Sequence, residues 1–208
     1  MSRRGRFISL EGGEGVGKST QVRALAEALR GRGLDVVTTR EPGGSEGAEK
    51  IRELLLRGDE ERWSVRTEAL LFAAARADHV EKTIQPAITR GQWVLSDRFL
   101  DSSLAYQGGA GGLGIEAVRA LHRFGSTNFL PDRSLVLLAD EGFERASARD
   151  AGDADRIGAR PAGYHQAVEL TFRQIAREEP QRVLLVDASG SEGEVTQRLL
   201  DAIEDLLP

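Results

Sequence analysis

The chain has 208 residues, of which 40% are hydrophobic and 29% charged, and this composition is typical of a globular protein rather than a disordered one. Its formal net charge of −5 argues against a protein that binds polymeric nucleic acid, because that role needs a basic surface to displace counterions from phosphates. The absence of cysteine excludes disulfide bonds, thiolate catalysis and cysteine-bound zinc, and it suits a cytoplasmic protein.

Short apolar runs alternate with stretches of helical periodicity along the chain. The runs of strand length are Phe7–Leu10, Asp35–Thr39, Trp93–Ser96, Ser134–Ala139 and Val183–Asp187. The helical stretches are Lys18–Arg30, Gly47–Leu56, about Thr67–Thr89, Ile115–Phe124, Tyr164–Glu179 and Glu192–Leu207. A strand followed by a helix, repeated in this way, predicts an α/β fold in which helices cover both faces of a five-stranded parallel sheet.

A few segments interrupt this pattern. Pro86 is expected to kink or interrupt the long helix, because proline lacks an amide donor and clashes with the preceding turn. The glycines of Gly108–Gly112 predict a flexible turn, and Asp150–Gly163 has too little apolar surface to pack tightly, which predicts a mobile lid. No repeat or linker divides the chain, so we expect a single domain over residues 1–208.

No apolar run approaches the length of a membrane span. The basic start of the chain is followed by Phe7–Leu10, which is far too short for the apolar region of a signal peptide. We therefore expect a cytoplasmic protein with no membrane partner.

The segment Gly12–Ser19 fits the P-loop pattern G-x-x-x-x-G-K-S, and it lies directly after a predicted strand and at the start of a predicted helix. In such a loop the backbone amides and the helix N-terminus face phosphate oxygens. Lys18 then reaches the β- and γ-phosphates of a nucleotide, and Ser19 offers an oxygen to Mg²⁺. The alternative, a glycine-rich turn with a solvated lysine, is disfavoured by the flanking strand and helix. The predicted nucleotide-binding residues are Gly12, Gly13, Glu14, Gly15, Val16, Gly17, Lys18, Ser19 and Thr20.

A P-loop does not by itself distinguish a switch GTPase, a motor ATPase and a kinase. The only asparagine, Asn128, is followed by Phe129, so the Asn-Lys-x-Asp segment that usually reads guanine is absent. The chain resembles the bacterial thymidylate kinase family from Phe7 to about Ala188. The segments that carry the resemblance are Glu11–Thr20, Thr39–Gly44, Arg66–Arg76 and Ser96–Gly108. The resemblance implies the P-loop NTPase fold and, with ATP and Mg²⁺, phosphorylation of dTMP to dTDP.

The resemblance also implies an acceptor site. Phe72 and Arg76 are four residues apart on a predicted helix, so they share a face. The family pattern implies that Phe72 stacks on thymine and that Arg76 reads its O4; judged from the residues alone, a core phenylalanine and a solvated arginine would be the simpler interpretation. Ser103, Tyr106 and Gln107 are placed against the nucleoside, where Tyr106 could exclude a 2′-hydroxyl.

Charged residues are implied to hold the phosphates. Arg52 would bind the acceptor phosphate with Arg98 nearby, although an ion pair with Glu49 or Glu53 is an alternative for Arg52. Asp97 would lie near the Mg²⁺ ion, or simply cap a helix. Three further assignments complete the set: Arg98 lies between the donor and acceptor phosphates, Glu14 accepts from the 3′-hydroxyl or is solvated, and Arg40 is an additional acceptor-site residue.

The charge that develops on the transferred phosphoryl group needs a cation. Some family members supply an arginine from the P-loop, but here the residue after Glu14 is Gly15, so the lid must provide it. The candidates are Arg149, Arg156 and Arg160, of which Arg156 best fits the lid motif. Gly158 departs from that motif, where an acidic residue is usual.

Two other functions remain open from the residues: a kinase for another pyrimidine nucleotide or a deoxynucleoside, and a nucleotide-dependent switch. A switch would not require a second ligand site. The family resemblance and the long apolar-faced helix Thr67–Arg90 predict a homodimer.

Overall fold

The computed structural model describes residues 4–139 and 156–208. Within them, five strands form one sheet in the order β2-β3-β1-β4-β5, and every neighbouring pair is parallel. The strands are β1 (Phe7–Gly12), β2 (Val36–Arg40), β3 (Trp93–Asp97), β4 (Arg133–Leu138) and β5 (Val183–Asp187). The predicted α/β fold with a five-stranded parallel sheet is confirmed, and each strand begins and ends within one or two residues of its predicted bounds.

Helices connect these strands. They are α1 (Lys18–Gly31), α2 (Glu46–Leu56), α3 (Val65–His79), α4 (Gln85–Thr89), α5 (Leu100–Ser103), α6 (Ile115–Ser126), α7 (Ala162–Glu178) and α8 (Glu192–Asp201). Two short 3₁₀ turns lie at Glu60–Arg62 and Glu204–Leu206. The starts of two helices follow from local chemistry: Ser64 caps α3 by accepting from an amide of its first turn, and Ser191 with Glu194 forms a capping box on α8.

The sheet is buried on both faces, which explains why its strands read as continuous apolar runs. Along β1, Phe7 belongs to one hydrophobic cluster while Ile8 and Leu10 belong to the other. The first cluster includes Phe172 of α7, so it lies between the sheet and α7. The second includes Leu25 of α1, so it lies between the sheet and α1. In the described residues no helix has the length and hydropathy that a membrane span requires.

The interruption of the long helix that was expected near Pro86 is present, whereas the glycine-rich turn differs from its prediction. The long helix is interrupted by a π-helical turn at Val80–Ile84, and Pro86 follows in the first turn of α4. The prediction of a flexible turn was wrong for residues 108–110, which belong to a π-helical segment, Leu104–Ala110. A Cβ on Gly109 would lie 2.1 Å from Oγ1 of Thr171, so this glycine allows close packing on α7.

The C-terminal helix and the predicted lid also differ in their bounds. The last helix ends at Asp201 rather than Leu207, because the chain turns and continues as 3₁₀. Residues 150–155 of the predicted lid lie outside the described residues. Of the described lid residues, Arg156 and Ile157 are packed, at 4% and 6% exposed, whereas Ala159 and residues 161–163 are exposed.

A network of buried polar side chains lies beneath the phosphate loop. Arg182 makes a bidentate ion pair with Asp101, with both N–O distances at 2.7 Å, and Ser134 donates to the same carboxylate at 2.6 Å. Glu11, fully buried at the end of β1, accepts from Ser102 through Oε2, while its Oε1 has no hydrogen-bond partner among the described residues. Burial, reinforced by the nearby charge of Asp101, raises the pKa of Glu11 from 4.5 to about 7.

The raised pKa of Glu11 predicts a pH-dependent stability. The folded state holds this proton more tightly than the unfolded state, so the contribution is fully present below pH 4.5 and is lost as the pH rises to about 7. In Glu11→Gln this loss disappears. The free energy of unfolding of the variant, relative to the wild type, should therefore rise by about 3 kcal/mol between pH 4.5 and pH 8. Urea unfolding at both pH values measures it.

Glu27→Gln, on the exposed face of α1, is the matched control and should leave the difference constant with pH. A Glu11→Gln difference that is also constant with pH would contradict the prediction.

Candidate functional site

A cavity of about 400 Å³ opens at the carboxyl ends of β1, β2 and β3, the edge where ligands bind in open parallel sheets. Most of the predicted site residues line this cavity. They are Glu14, Gly15, Gly17, Lys18, Ser19, Thr20, Arg40, Arg52, Phe72, Arg76, Asp97, Arg98, Ser103, Tyr106 and Gln107. The predicted residues that do not line it are Gly12, Gly13, Val16 and Arg156.

The phosphate loop runs from β1 into α1 through backbone conformations that favour glycine. Gly12, Gly15 and Gly17 have φ angles of +130°, +70° and +90°. Gly12 is restricted further by its neighbour, because a Cβ there would lie 2.4 Å from the carbonyl oxygen of Leu137 on β4. The loop therefore keeps the N-terminus of α1, which begins at Lys18, open toward the cavity.

The amine of Lys18 is buried within this loop. Its Nζ donates to the carbonyl oxygens of Gly13 and, at 3.3 Å, Gly12. Burial, with repulsion from Arg98, lowers the pKa of Lys18 to about 8. The lysine is thus folded back on its own loop, and phosphate oxygens would replace these two carbonyls as stronger, charged acceptors.

Ser19 and Asp97 meet across the cavity, with Ser19 Oγ donating to Asp97 Oδ2 at 2.6 Å. A hydroxyl and a carboxylate oxygen are the hard ligands that Mg²⁺ prefers, and Mg²⁺ is commonly bound by one or two carboxylates together with substrate phosphates. The residues present therefore fit the predicted ion. Elsewhere in residues 4–139 and 156–208 there is no cluster of three His, Asp or Glu side chains that could bind a metal.

Arg98 connects the phosphate loop with the opposite wall of the cavity. It follows β3 with a φ of +70°, and its guanidinium donates to the carbonyl of Gly12 at 2.9 Å, to Glu14 at 2.6 Å and to the Tyr106 hydroxyl at 3.3 Å. Burial would raise the pKa of Glu14, but the charges of Arg98 and Lys18 outweigh it and lower that pKa to about 2. Glu14 is therefore ionised and paired with Arg98, with 34% of its side chain exposed.

The two residues predicted to read a base lie together on α3. Phe72 and Arg76 both line the cavity, and Arg76 is only 2% exposed, so it is not a solvated helix residue. The guanidinium of Arg76 donates to Glu41 at 2.8 Å, to Ser103 at 2.8 Å and to the carbonyl of Phe99 at 3.1 Å.

Two further arginines lie at the mouth of the cavity. Arg52 donates to the carbonyl of Pro42 at 2.6 Å. Arg40 is more exposed and pairs with Glu49 at 3.1 Å, and Glu49 also accepts from the amide of Gly44. Glu49, which was considered as a partner for Arg52, is thus an ion-pair partner of Arg40.

Gln107 donates to Glu68 at 2.9 Å, and the same buried carboxylate accepts from Arg156 and, at 2.7 Å, from Arg160. Arg156 also donates to the carbonyl of Leu55. The structure therefore holds two of the three candidate lid arginines on Glu68. The third, Arg149, lies outside the described residues.

The sequence did not indicate the two buried carboxylates that bind the arginines of the site, Glu68 with Arg156 and Glu41 with Arg76. Glu68 lies four residues before Phe72 on α3, so helical spacing could have placed it on the cavity face. Glu41 lies in the Thr39–Gly44 segment that was singled out, but nothing in its spacing indicated that it would meet Arg76, 35 residues away.

Comparisons with known proteins show the family to which this chain belongs. The family model described as thymidylate kinase matches residues 10–199. A thymidylate kinase of Rhizorhabdus wittichii is 61% identical over 98% of this chain and 99% of its own, and one of Caulobacter vibrioides is 47% identical over 96% of each. The crystal structure of thymidylate kinase from Ehrlichia chaffeensis matches with a TM-score of 0.79 at 28% identity, covering 98% of this chain and 100% of that one. The chain belongs to the thymidylate kinase family.

Proposed function

We propose that the chain transfers the γ-phosphoryl group of ATP to the phosphate of dTMP, giving dTDP and ADP. The observation that carries this proposal is the presence of two ligand-binding sets in one cavity. Lys18 and Ser19 belong to the phosphate loop, while Arg52, Phe72 and Arg76 lie across from it. A switch protein needs only the first set; a kinase with a nucleotide acceptor needs both.

The acceptor phosphate is already a nucleophile, so the protein has to align two phosphates, neutralise their repulsion and exclude water. Arg98 is suited to lie between them, because it bonds the phosphate loop through Gly12 and the acceptor wall through Tyr106. Lys18 would hold the donor phosphates and Arg52 the acceptor phosphate, with Arg40 nearby.

Ser19 and Asp97 would hold Mg²⁺, whose charge lowers the cost of bringing the donor and acceptor phosphates together. Their side chains are already within hydrogen-bond distance of each other, so little rearrangement would be needed to face one ion. We propose that Asp97 binds it directly or through water.

The remaining residues would recognise the nucleoside. Phe72 and Arg76 both line the cavity, where Phe72 would offer a stacking surface and Arg76 would donate to O4 of thymine. The Tyr106 ring, fixed by the overlying guanidinium of Arg98 at 5.0 Å, would pack beside the sugar and exclude a 2′-hydroxyl. The ionised Glu14 would accept from the 3′-hydroxyl, and Ser103 and Gln107 would complete the wall.

The acceptor can be identified with a coupled ADP-release assay, using Mg-ATP against dTMP, dUMP, UMP, CMP, AMP and thymidine. We expect a strong preference for dTMP.

In Arg52→Met the KM for dTMP should rise about 100-fold while the KM for ATP changes little, because a bidentate phosphate contact is lost. Arg173→Met is the control, since Arg173 pairs with Glu169 on the exposed face of α7.

Preference for another monophosphate would keep the fold and the reaction class but overturn the assignment of the base. ADP release at the same rate without any acceptor would favour a nucleotide-dependent switch.

We also propose that Arg156 supplies the cation for the transferred phosphoryl group from a lid at about residues 150–163, within a single kinase domain spanning residues 1–208. The side chain of Arg156 is bound to Glu68 and does not line the cavity, whereas its neighbour Ile157 does. To act on the phosphoryl group, Arg156 would have to exchange Glu68 for phosphate oxygens.

Arg156→Ala should lower kcat by about 10³-fold with little change in the affinity for Mg-ATP, as loss of an arginine that acts in the transition state does. Glu68→Gln is the control that separates this role from the ion pair, because it releases Arg156 without removing it. An equal fall in both variants, or unchanged turnover in Arg156→Ala, would show that Arg156 is not the phosphoryl-stabilising residue.

We propose a cytoplasmic homodimer that pairs through the layer of α2, α3 and α6. α3 packs against both α2 and α6, and each of the three helices carries a large exposed apolar side chain. The exposed fractions are 41% for Leu54, 55% for Leu70 and 92% for Phe124. Side chains of this kind on adjacent helices are typical of a surface that a partner covers.

Light scattering coupled to gel filtration tests this assembly. The wild type should elute as a dimer and Phe124→Glu should elute largely as a monomer, because a charge would be buried without a partner at the interface. Leu170→Glu, at a residue on α7 that is 67% exposed, should stay dimeric. A monomeric wild type, or a Phe124→Glu variant as dimeric as the wild type, would contradict the proposed interface.

A further inference from the structure

Glu41 is a buried carboxylate that has no role in the chemistry proposed above. It directly follows β2, lines the cavity, and its side chain is 4% exposed. Its two oxygens have different partners. Oε2 accepts from Nε of Arg76 at 2.8 Å, and Oε1 lies 3.0 Å from Nδ1 of His79.

The contacts of Arg76 leave one part of its guanidinium available. Nε is bonded to Glu41, and Nη2 is bonded to Ser103 and to the carbonyl of Phe99. The guanidinium also lies over the ring of Phe99, 5.2 Å from its centre. Among the described residues no hydrogen bond is made by Nη1, although Arg76 lines the cavity. Because a guanidinium is planar and rigid, fixing Nε and Nη2 also fixes the direction in which Nη1 points.

A second set of contacts fixes Glu41 itself. His79 is fully buried, and its Nε2 lies 2.7 Å from Oγ1 of Thr39, so the imidazole connects β2 to the carboxylate. The backbone amide of Glu41 donates to the carbonyl of Asp97 at 2.9 Å, which ties this point of the chain to the end of β3. Glu41 is therefore held through both its backbone and its side chain.

We propose that Glu41, held by His79 and Thr39, is a positioning residue that sets the base specificity of the site by fixing the guanidinium of Arg76. This inference rests on the proposed function. A guanidinium has only donors, so it matches a pyrimidine that carries a carbonyl at position 4 and opposes one that carries an amino group there. The opposition is effective only if the guanidinium cannot turn away.

The same turn positions a second arginine. Pro42, the residue after Glu41, accepts from Arg52 through its carbonyl at 2.6 Å. Glu41 thus holds Arg76, which is proposed to read the base, and the next residue holds Arg52, which is proposed to bind the acceptor phosphate. The spacing between base and phosphate recognition is fixed by one short segment whose backbone is anchored to β3.

Glu41→Gln tests the inference, since it keeps the shape of the side chain and removes the charge that orients Arg76. Steady-state kinetics with dTMP, dUMP, dCMP and ATP should show three effects. The KM for dTMP rises about tenfold while the KM for ATP is unchanged. The ratio of kcat/KM for dTMP over dCMP falls about tenfold, because a mobile guanidinium no longer rejects the amino group. The ratio for dTMP over dUMP stays within about threefold, since both bases carry the carbonyl.

Glu179→Gln is the matched control. Glu179 also binds two cationic side chains, Arg119 and Arg182, but lies at the end of α7 and does not line the cavity. Its variant should keep the wild-type base selectivity. Thr39→Val provides a second, milder variant should Glu41→Gln fail to fold, because it removes only the hydrogen bond between Thr39 and His79. It should lower the ratio of kcat/KM for dTMP over dCMP by about threefold.

The outcomes separate this inference from the proposed function. A wild type that does not phosphorylate dTMP would refute the function itself. The positioning role of Glu41 alone would be refuted by a different pair of results. The wild type would prefer dTMP, and the variants at Glu41 and Thr39 would retain its KM for dTMP and its selectivity against dCMP.

Discussion

The site depends on the guanidinium of Arg98, which joins the phosphate loop to the wall that faces it. Its backbone amide donates to Leu10 of β1, and its side chain reaches Gly12, Glu14 and Tyr106. The backbone of Arg98 is in the left-handed region, a conformation that non-glycine residues rarely adopt and that is often found where function requires it. The hydrogen bonds of Arg98 consequently tie the loop to the opposite wall without a bound nucleotide.

The charges of the cavity are arranged so that an overall acidic protein can hold a basic site. Several cations lie around one small volume, and they would repel one another without carboxylates among them. Three carboxylates in or beside the cavity are each paired with a different arginine: Glu14 with Arg98, Glu41 with Arg76, and Glu49 with Arg40. Phosphate groups can therefore enter as additional anions, stabilised by donors that are already oriented.

Much of the fold could be predicted from the sequence, because buried parallel strands and amphipathic helices have clear periodicities, and the phosphate loop combines glycines with a fixed strand-to-helix context. The π-helical segment Leu104–Ala110 could not, since Gly109 packs closely against Thr171 of α7, a contact that only the tertiary fold brings about. The partners of the arginines also escaped prediction. The pair of Glu68 and Arg156 joins residues 88 positions apart, and only the tertiary fold brings them together.

The buried pair of Glu41 and Arg76 has an evolutionary consequence. Replacing either residue alone would leave a largely buried charge without its partner, at a cost of about 3–5 kcal/mol, which is a large part of the stability of a typical protein. A lineage that changed its nucleobase would have to alter both residues nearly together, and His79 would constrain the replacement as well. Under the proposed role of Arg76 in reading the base, this coupling constrains substrate preference, and we expect that preference to drift more slowly than the surrounding surface.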